Sequence, residues 1–199
     1  MSKLYFRYGT VNSAKTLNLL AVAHNYRQQG KRALIVKPAL DTRWGKEWIT
    51  SRAGPKMPAD LVLFDSGVIS AADIDRVSCV LVDEAQFLSL FVIEQLADIA
   101  HGEPNIPVIC YGLRTDFKTK LFPAAARLLE LADTIEEIKT TCQFCEKKAI
   151  FNLKFVDGVA TREGPSVDLG AEEKYSPACA ACYAKQHAES ALKTDTVFC

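Results

Sequence analysis

The sequence predicts an α/β fold: an open parallel sheet flanked by helices, with a phosphate-binding loop and a small C-terminal zinc-binding lobe. Three observations predict it. From Lys3 to about Thr141, short runs of aliphatic and β-branched residues alternate with helical patterns, the order expected of a parallel sheet covered on both faces. Residues 9–16, Gly-Thr-Val-Asn-Ser-Ala-Lys-Thr, join the first strand to the first helix as a phosphate-binding loop does. After Thr141 the texture changes, glycine, proline and charge break the pattern, and two Cys-x-x-Cys pairs appear.

Each element follows in order. Residues 4–8, Leu-Tyr-Phe-Arg-Tyr, carry the aromatic content favoured in strands. A helix over 15–29 is predicted from Leu17, Leu20, Ala21 and His24 at helical spacing, with Gly30 as its stop. Runs at 32–37, 61–64, 77–82 and 106–111 read as buried parallel strands, and 71–75, 88–101 and 121–131 as the helices between them. The chain of 199 residues suits one full core plus an appendage. The division expected is a nucleotide-binding domain over 1–141, of the kind built around a P-loop, a zinc-binding lobe over 142–190 and a tail over 191–199. No internal repeat or low-complexity tract interrupts it.

In the loop, successive backbone N–H groups and the following helix N-terminus would converge on phosphate oxygens. Lys15 adds a positive charge toward the β- and γ-phosphates, and the Thr16 hydroxyl would hold Mg2+. The usual pattern has glycine before the Lys-Thr pair, and Ala14 stands there. The competing reading is an ordinary Ser/Thr-rich turn ahead of a helix.

The run Cys-Val-Leu-Val over 79–82 ends in Asp83 and Glu84. Carboxylates at the C-terminal end of such a strand stand where ligands collect in open α/β sheets. Asp83 could organise Mg2+, and Glu84 could take a proton from a hydroxyl or a water. The alternative is a pair capping the helix that begins near Leu88. Asp-Glu-Ala-Gln also appears in helicase boxes, but those machines need two motor domains and a basic strand path, which this chain lacks.

Cys142, Cys145, Cys179 and Cys182 form the two knuckles of a tetrahedral four-thiolate zinc site, closed to water and therefore structural. Free pairs or redox dithiols are the alternative. Cys79 and Cys110 lie in strand runs and read as core, Cys199 is terminal, and His187 is a reserve ligand or a solvated helix position. With 24 basic and 24 acidic residues and no basic stripe, a nucleic-acid partner is not expected. No run approaches the roughly 20 apolar residues of a membrane span, and no signal-peptide core is present, so a soluble, cytoplasmic protein is expected.

Taken together, these motifs resemble the type II thymidine kinase family, most closely its bacterial and phage branch, over nearly the whole chain to about Tyr183. The resemblance rests on the loop, on Asp-Thr-Arg at 41–43, Ser-Arg-Ala-Gly at 51–54, Val-Asp-Glu-Ala-Gln-Phe at 82–87 and Tyr-Gly-Leu-Arg-Thr-Asp-Phe at 111–117. The cysteine quartet and Val-Asp-Leu-Gly-Ala-Glu-Glu-Lys-Tyr at 167–175 complete it. It implies transfer of the ATP γ-phosphoryl group to the 5′-hydroxyl of thymidine, with deoxyuridine as a further acceptor, Mg2+ with ATP, and structural Zn2+.

Glu84 is then the general base. Gly9, Thr10, Val11, Asn12, Ser13, Ala14, Lys15, Thr16, Asp41, Arg43, Asp83 and Gln86 form the ATP and Mg2+ set. Val11, Phe87, Leu113, Phe117, Phe122 and Tyr175 pack around the nucleoside, and Val167, Asp168, Leu169 and Gly170 belong to a lasso-like loop whose backbone reads the thymine edge. A homo-oligomer, tetrameric in the family, is also implied. Val11 replaces the usual methionine, Ala171 the second glycine of the lasso, and Ala14 the loop glycine. Two alternatives stay open: a catalytically weakened nucleotide-binding relative serving as sensor or assembly component, and an ATPase in which Glu84 activates water.

Overall fold

The computed structural model of the chain describes residues 2–43, 45–167 and 174–195. Five strands correspond to the predicted runs: β1 (Leu4–Tyr8), β2 (Arg32–Pro38), then, beyond the hairpin β3 (Trp48–Thr50) and β4 (Lys56–Pro58), β5 (Leu61–Leu63), β6 (Val77–Val82) and β7 (Val108–Gly112). A sixth, β8 (Thr134–Glu137), completes a wholly parallel sheet in the order β5-β2-β6-β7-β1-β8. The sheet is α/β with helices on both faces, as predicted.

Strand alternation explains the two-sided core. On β2, Leu34 and Val36 turn to one face and Ala33 and Ile35 to the other; on β6, Val80 and Val82 oppose Cys79 and Leu81. The first face packs under α2 (Leu90–His101) and α3 (Pro123–Leu131) through Val92, Ile93, Leu96, Ala124, Ala125 and Leu128. The second packs under α1 (Lys15–Gln28) through Leu19, Leu20 and Ala23. Since both faces are covered, these strands read as continuous apolar runs.

Three expectations change. The buried face of α1 is Lys15, Leu19, Leu20 and Ala23, whereas Ala21 and His24 are exposed. Lys15 points into the loop, and its own position four residues before Leu19 sets the helix rotation, which a nearly neutral helix could not announce by hydrophobicity. Residues 71–75 form turns, not a helix. Five residues are too few to repay helix nucleation, and the Asp73 carboxylate instead accepts from the Ser70 backbone and hydroxyl at 2.8 and 2.6 Å. The helix expected from 88 begins at Leu90, capped by Ser89, whose hydroxyl accepts from the Val92 N–H. Asp83 and Glu84 are therefore not its caps.

β8 and the β3–β4 hairpin escaped the sequence reading because they are short, and β8 also carries two glutamates in four residues. Residues 134–137, Thr-Ile-Glu-Glu, lie at the sheet edge with two exposed positions.

Beyond β8, strands β9 (Phe151–Val156), β10 (Val159–Thr161) and β11 (Tyr175–Ala178) form a separate antiparallel sheet, followed by α4 (Ala180–Asp195). Among the described residues its buried cluster comprises Cys142, Leu153, Ala160, Ala178, Cys179 and Tyr183. So small a core calls for a cross-link. Among the described residues no helix is long and apolar enough to cross a membrane.

Candidate active site

The loop after β1 is tied to the sheet by the Gly9 N–H, which donates to the Gly112 carbonyl at 3.2 Å. A β-carbon on Gly9 would come within 2.6 Å of the Ile138 carbonyl and collide with Ser13, so only glycine fits. Asn12 and Ala14 both take left-handed backbone, with φ of 62° and 60°. Ala14 thus occupies the conformation that glycine usually provides, at a cost of about 1–2 kcal/mol. The helix nonetheless starts normally, with the Asn18 N–H bonded to the Ala14 carbonyl at 3.0 Å.

Lys15 is buried and folds back over its own loop, donating to the Thr10 carbonyl at 2.7 Å and toward Ser13 Oγ and the Gly9 carbonyl at 3.3 and 3.4 Å. Burial lowers its pKa against the opposing pull of Glu84 and Asp83. Thr16 Oγ1 donates to the Asp83 carboxylate, 3.2 and 3.3 Å from its oxygens. Burial and the neighbouring Glu84 charge push Asp83 upward.

Glu84 has a left-handed backbone too, φ 48° and ψ 39°. Such strain in a non-glycine residue is typical of functional positions. Its carboxylate accepts from Arg43 Nη2 at 2.7 Å and from Gln86 Nε2 at 2.5 Å. Burial opposes the charge, but Arg43 and Lys15 overcome it and hold the Glu84 pKa below its ordinary value. Arg43 Nε also donates to Asp41 at 2.6 Å. Gln86 Oε1 accepts from the Leu113 N–H at 2.9 Å, tying the acidic turn to β7.

A cavity of about 580 Å³ joins these groups to an apolar slot. Its wall includes Val11 to Thr16 of the loop, Asp41, Arg43, Asp83 and Glu84, together with Phe87, Leu113, Phe117, Phe122, Val167 and Tyr175. The slot has defined ring geometry: Phe87 meets Phe122 edge-on at 5.9 Å, and Phe117 lies 6.0 Å from Tyr175. Gly9, Thr10 and Gln86 stand behind the wall, not in it. Asp168, Leu169, Gly170 and Ala171 lie outside the described residues, as does Cys199.

Further residues of the wall lie outside the set assigned from sequence, and Asn152, Asp116, Ser166 and Arg52 among them tie separate elements together. Asn152 of β9 accepts from the Val11 N–H at 2.8 Å and donates to the Thr115 carbonyl at 3.0 Å, linking the lobe to the loop. Asp116 accepts the Lys118 and Lys120 N–H groups, each at 2.9 Å, and the Ser166 hydroxyl at 2.8 Å. Arg52, in the β3–β4 turn, donates to Asn12 Oδ1 at 2.6 Å. Arg52 and Asp116 lie in the motifs at 51–54 and 111–117 that carry the resemblance, whereas Asn152 and Ser166 offered only a polar residue type, which is common for many reasons.

Cys142, Cys145, Cys179 and Cys182 converge, with all sulfurs within 4.8 Å of one another. Cys145 Sγ lies 3.6 Å from both Cys179 and Cys182. Thiolates about 2.3 Å from a tetrahedral zinc stand about 3.8 Å apart, so the quartet fits Zn2+. The Phe144 and Cys182 N–H groups point at Cys142 and Cys179 sulfurs at 3.4 Å, and the second of these lowers the Cys179 pKa toward the thiolate. The site is compatible with structural zinc. His187 is not in the quartet; its ring packs on Tyr183 at 4.6 Å. Cys79 and Cys110 are buried in the core, as expected.

Comparison with known proteins agrees with this geometry. The family model described as "Thymidine kinase" matches residues 2–183. The thymidine kinase of Lactiplantibacillus plantarum is 45% identical over 181 residues, covering 90% of this chain and 94% of the relative. That of Streptococcus pyogenes is 43% identical over 181 residues, 90% and 95% of the two chains, and that of Streptococcus gordonii 41% over 187 residues, 93% and 97%.

Proposed function

The chain belongs to the thymidine kinase family, and on that premise we propose that it transfers the ATP γ-phosphoryl group to the thymidine 5′-hydroxyl, with Glu84 as the general base. It is an ATP-dependent nucleoside kinase, and its products are dTMP and ADP. One observation carries the reading: a single cavity is walled by the phosphate loop, by Glu84 and by an aromatic slot sized for a flat base. Neither a sensor nor an ATPase requires that combination.

Phosphoryl transfer is mostly positioning and charge neutralisation. Backbone N–H groups of the loop other than those of Gly9 and Val11, which are bonded to Gly112 and Asn152, cradle the phosphates, and Lys15 exchanges its loop carbonyls for phosphate oxygens. Mg2+, accompanying ATP, offsets phosphate charge, and the adjacent Thr16 hydroxyl and Asp83 carboxylate are the groups suited to hold it, with Asp41 close by. Arg43 faces the phosphates from the opposite side. Glu84, ionised in its buried site, accepts the 5′-hydroxyl proton as the oxygen attacks.

Phe87, Phe117, Phe122, Leu113 and Tyr175 clasp the base, and Val167 stands at the start of the stretch that the family resemblance assigns to the thymine edge. Val11, shorter than the family's methionine, leaves room in one wall and widens substrate choice, and deoxyuridine, which lacks only the thymine methyl group, fits the same slot. Likeness to the family supports a cytoplasmic homo-oligomer, tetrameric in form. The balanced charge supports neither a nucleic-acid nor a membrane partner.

A phosphoryl-transfer assay with ATP and Mg2+ across thymidine, deoxyuridine, deoxycytidine and deoxyguanosine tests the reading. Thymidine is expected as the preferred acceptor. Absence of any phosphorylated nucleoside would overturn it.

A further inference from the structure

Lys37, the penultimate residue of β2, is fully buried, yet none of the roles above uses it. Its ammonium has three donors and meets three acceptors: the Trp48 carbonyl at 3.0 Å, the Gly45 carbonyl at 3.2 Å and Asp41 Oδ2 at 3.5 Å. Asp41 lies near the start of the segment between β2 and β3, Gly45 lies in its second half, and Trp48 is the first residue of β3. One buried cation therefore holds both sides of a segment that has, among its described residues, no strand or helix of its own.

The contacts continue toward the site. The other Asp41 oxygen accepts from Arg43 Nε at 2.6 Å, and Arg43 Nη2 reaches Glu84 at 2.7 Å. Charges alternate along the path Lys37, Asp41, Arg43, Glu84. An apolar side chain of similar length would fill the volume of Lys37 without the desolvation cost of an ammonium. It would also leave two part-buried carbonyls and one oxygen of the buried Asp41 carboxylate short of a partner.

We propose that Lys37 is a positioning residue for phosphoryl transfer, clamping the segment after β2 so that Asp41 presents Arg43 to Glu84 and the phosphate loop. It touches no substrate and acts through Arg43. The proposal rests on the kinase reading above, and the test separates the two.

The test is a double-mutant cycle of Lys37→Met and Arg43→Gln, measuring kcat/KM for ATP at saturating thymidine, the thymidine Kd and tryptophan emission. Both tryptophans of the chain, Trp44 and Trp48, belong to the clamped stretch of sequence. Lys37→Met alone should lower kcat/KM for ATP about tenfold or more, shift the emission and leave the thymidine Kd within about twofold. In the Arg43→Gln background the same change should cost less than about twofold, because its route is already cut.

Additive losses, a parallel loss of thymidine affinity, or kcat/KM unchanged in Lys37→Met would each overturn the proposal. If Lys37→Met does not fold, Lys37→Gln, which keeps a donor and loses the charge, is read by the same criteria. A wild-type chain that phosphorylates no nucleoside defeats the kinase reading. Emission unchanged by either Lys37 variant defeats the clamp, whatever the activity.

Discussion

Arg43 and Glu84 meet at 2.7 Å, joining the segment after β2 to the strained turn after β6. The pairing holds a buried carboxylate ionised where it faces both the phosphate loop and the aromatic slot. It also makes Glu84 the residue whose replacement separates binding from chemistry. Glu84→Gln should keep ATP binding nearly intact and lower turnover by about 100-fold or more. Near-normal turnover in steady-state assays would remove Glu84 from the role.

The same pair sets a pH dependence. Burial raises the Glu84 pKa, and Arg43 is the foremost of the groups that bring it down. In Arg43→Gln the opposition weakens, the folded-state pKa rises, and the ionised base is lost as pH falls from a higher starting point. The acid limb of the kcat/KM profile should therefore move upward by about one pH unit or more. A limb at the wild-type position would show that Arg43 does not govern the carboxylate.

Ala14 takes left-handed backbone at the start of α1. That strain belongs to the folded loop itself, so its relief should appear as stability rather than affinity. Ala14→Gly removes about 1–2 kcal/mol of strain and costs about 0.4–1 kcal/mol through the freer unfolded chain. A net rise in Tm of about 2–4 °C is expected, with the ATP Kd within about threefold of wild type. A large affinity gain on calorimetric titration would mean that alanine distorts the loop when phosphates bind.

Asp116 gathers two backbone N–H groups and the Ser166 hydroxyl, next to Val167 in the cavity wall. Asp116→Ala should loosen the slot and raise the thymidine KM about tenfold or more while sparing the ATP KM. Equal changes in both constants would point to a general loss of structure.

Zinc should be present at a single ion per chain by elemental analysis. A four-thiolate site contributes on the order of 10 kcal/mol to a small metal-bound fold. Cys145→Ser should therefore release the metal and weaken thymidine binding, since Asn152 and Tyr175 are supplied by the strands that the quartet anchors. A metal-free variant with unchanged thymidine affinity would contradict that role.

The extent to which the site was legible follows from the range of each signal. Lys15, Thr16, Asp83, Glu84 and the cysteine quartet sit in contiguous motifs whose chemistry requires those residue types at those spacings. Asn152 does not, because its partner Val11 lies far along the chain, and although Asp116 belongs to the motif at 111–117, its contact with Ser166 joins distant segments. The aromatic slot became legible only through resemblance, since Phe117 and Phe122 alone read as ordinary core. Lys37 at the end of an apolar strand carried no signal either. Its three acceptors converge only when the segment folds back over it.

The sequence by itself determined the parallel sheet, the phosphate loop, the acidic pair and the zinc quartet, because local periodicity and short-range spacing are enough to specify them. Tertiary structure alone decided the rotation of α1, the charged edge strand β8 and the meeting of Arg43 with Glu84. Those depend on contacts between distant segments, where burial and unpaired polar groups outweigh local propensity.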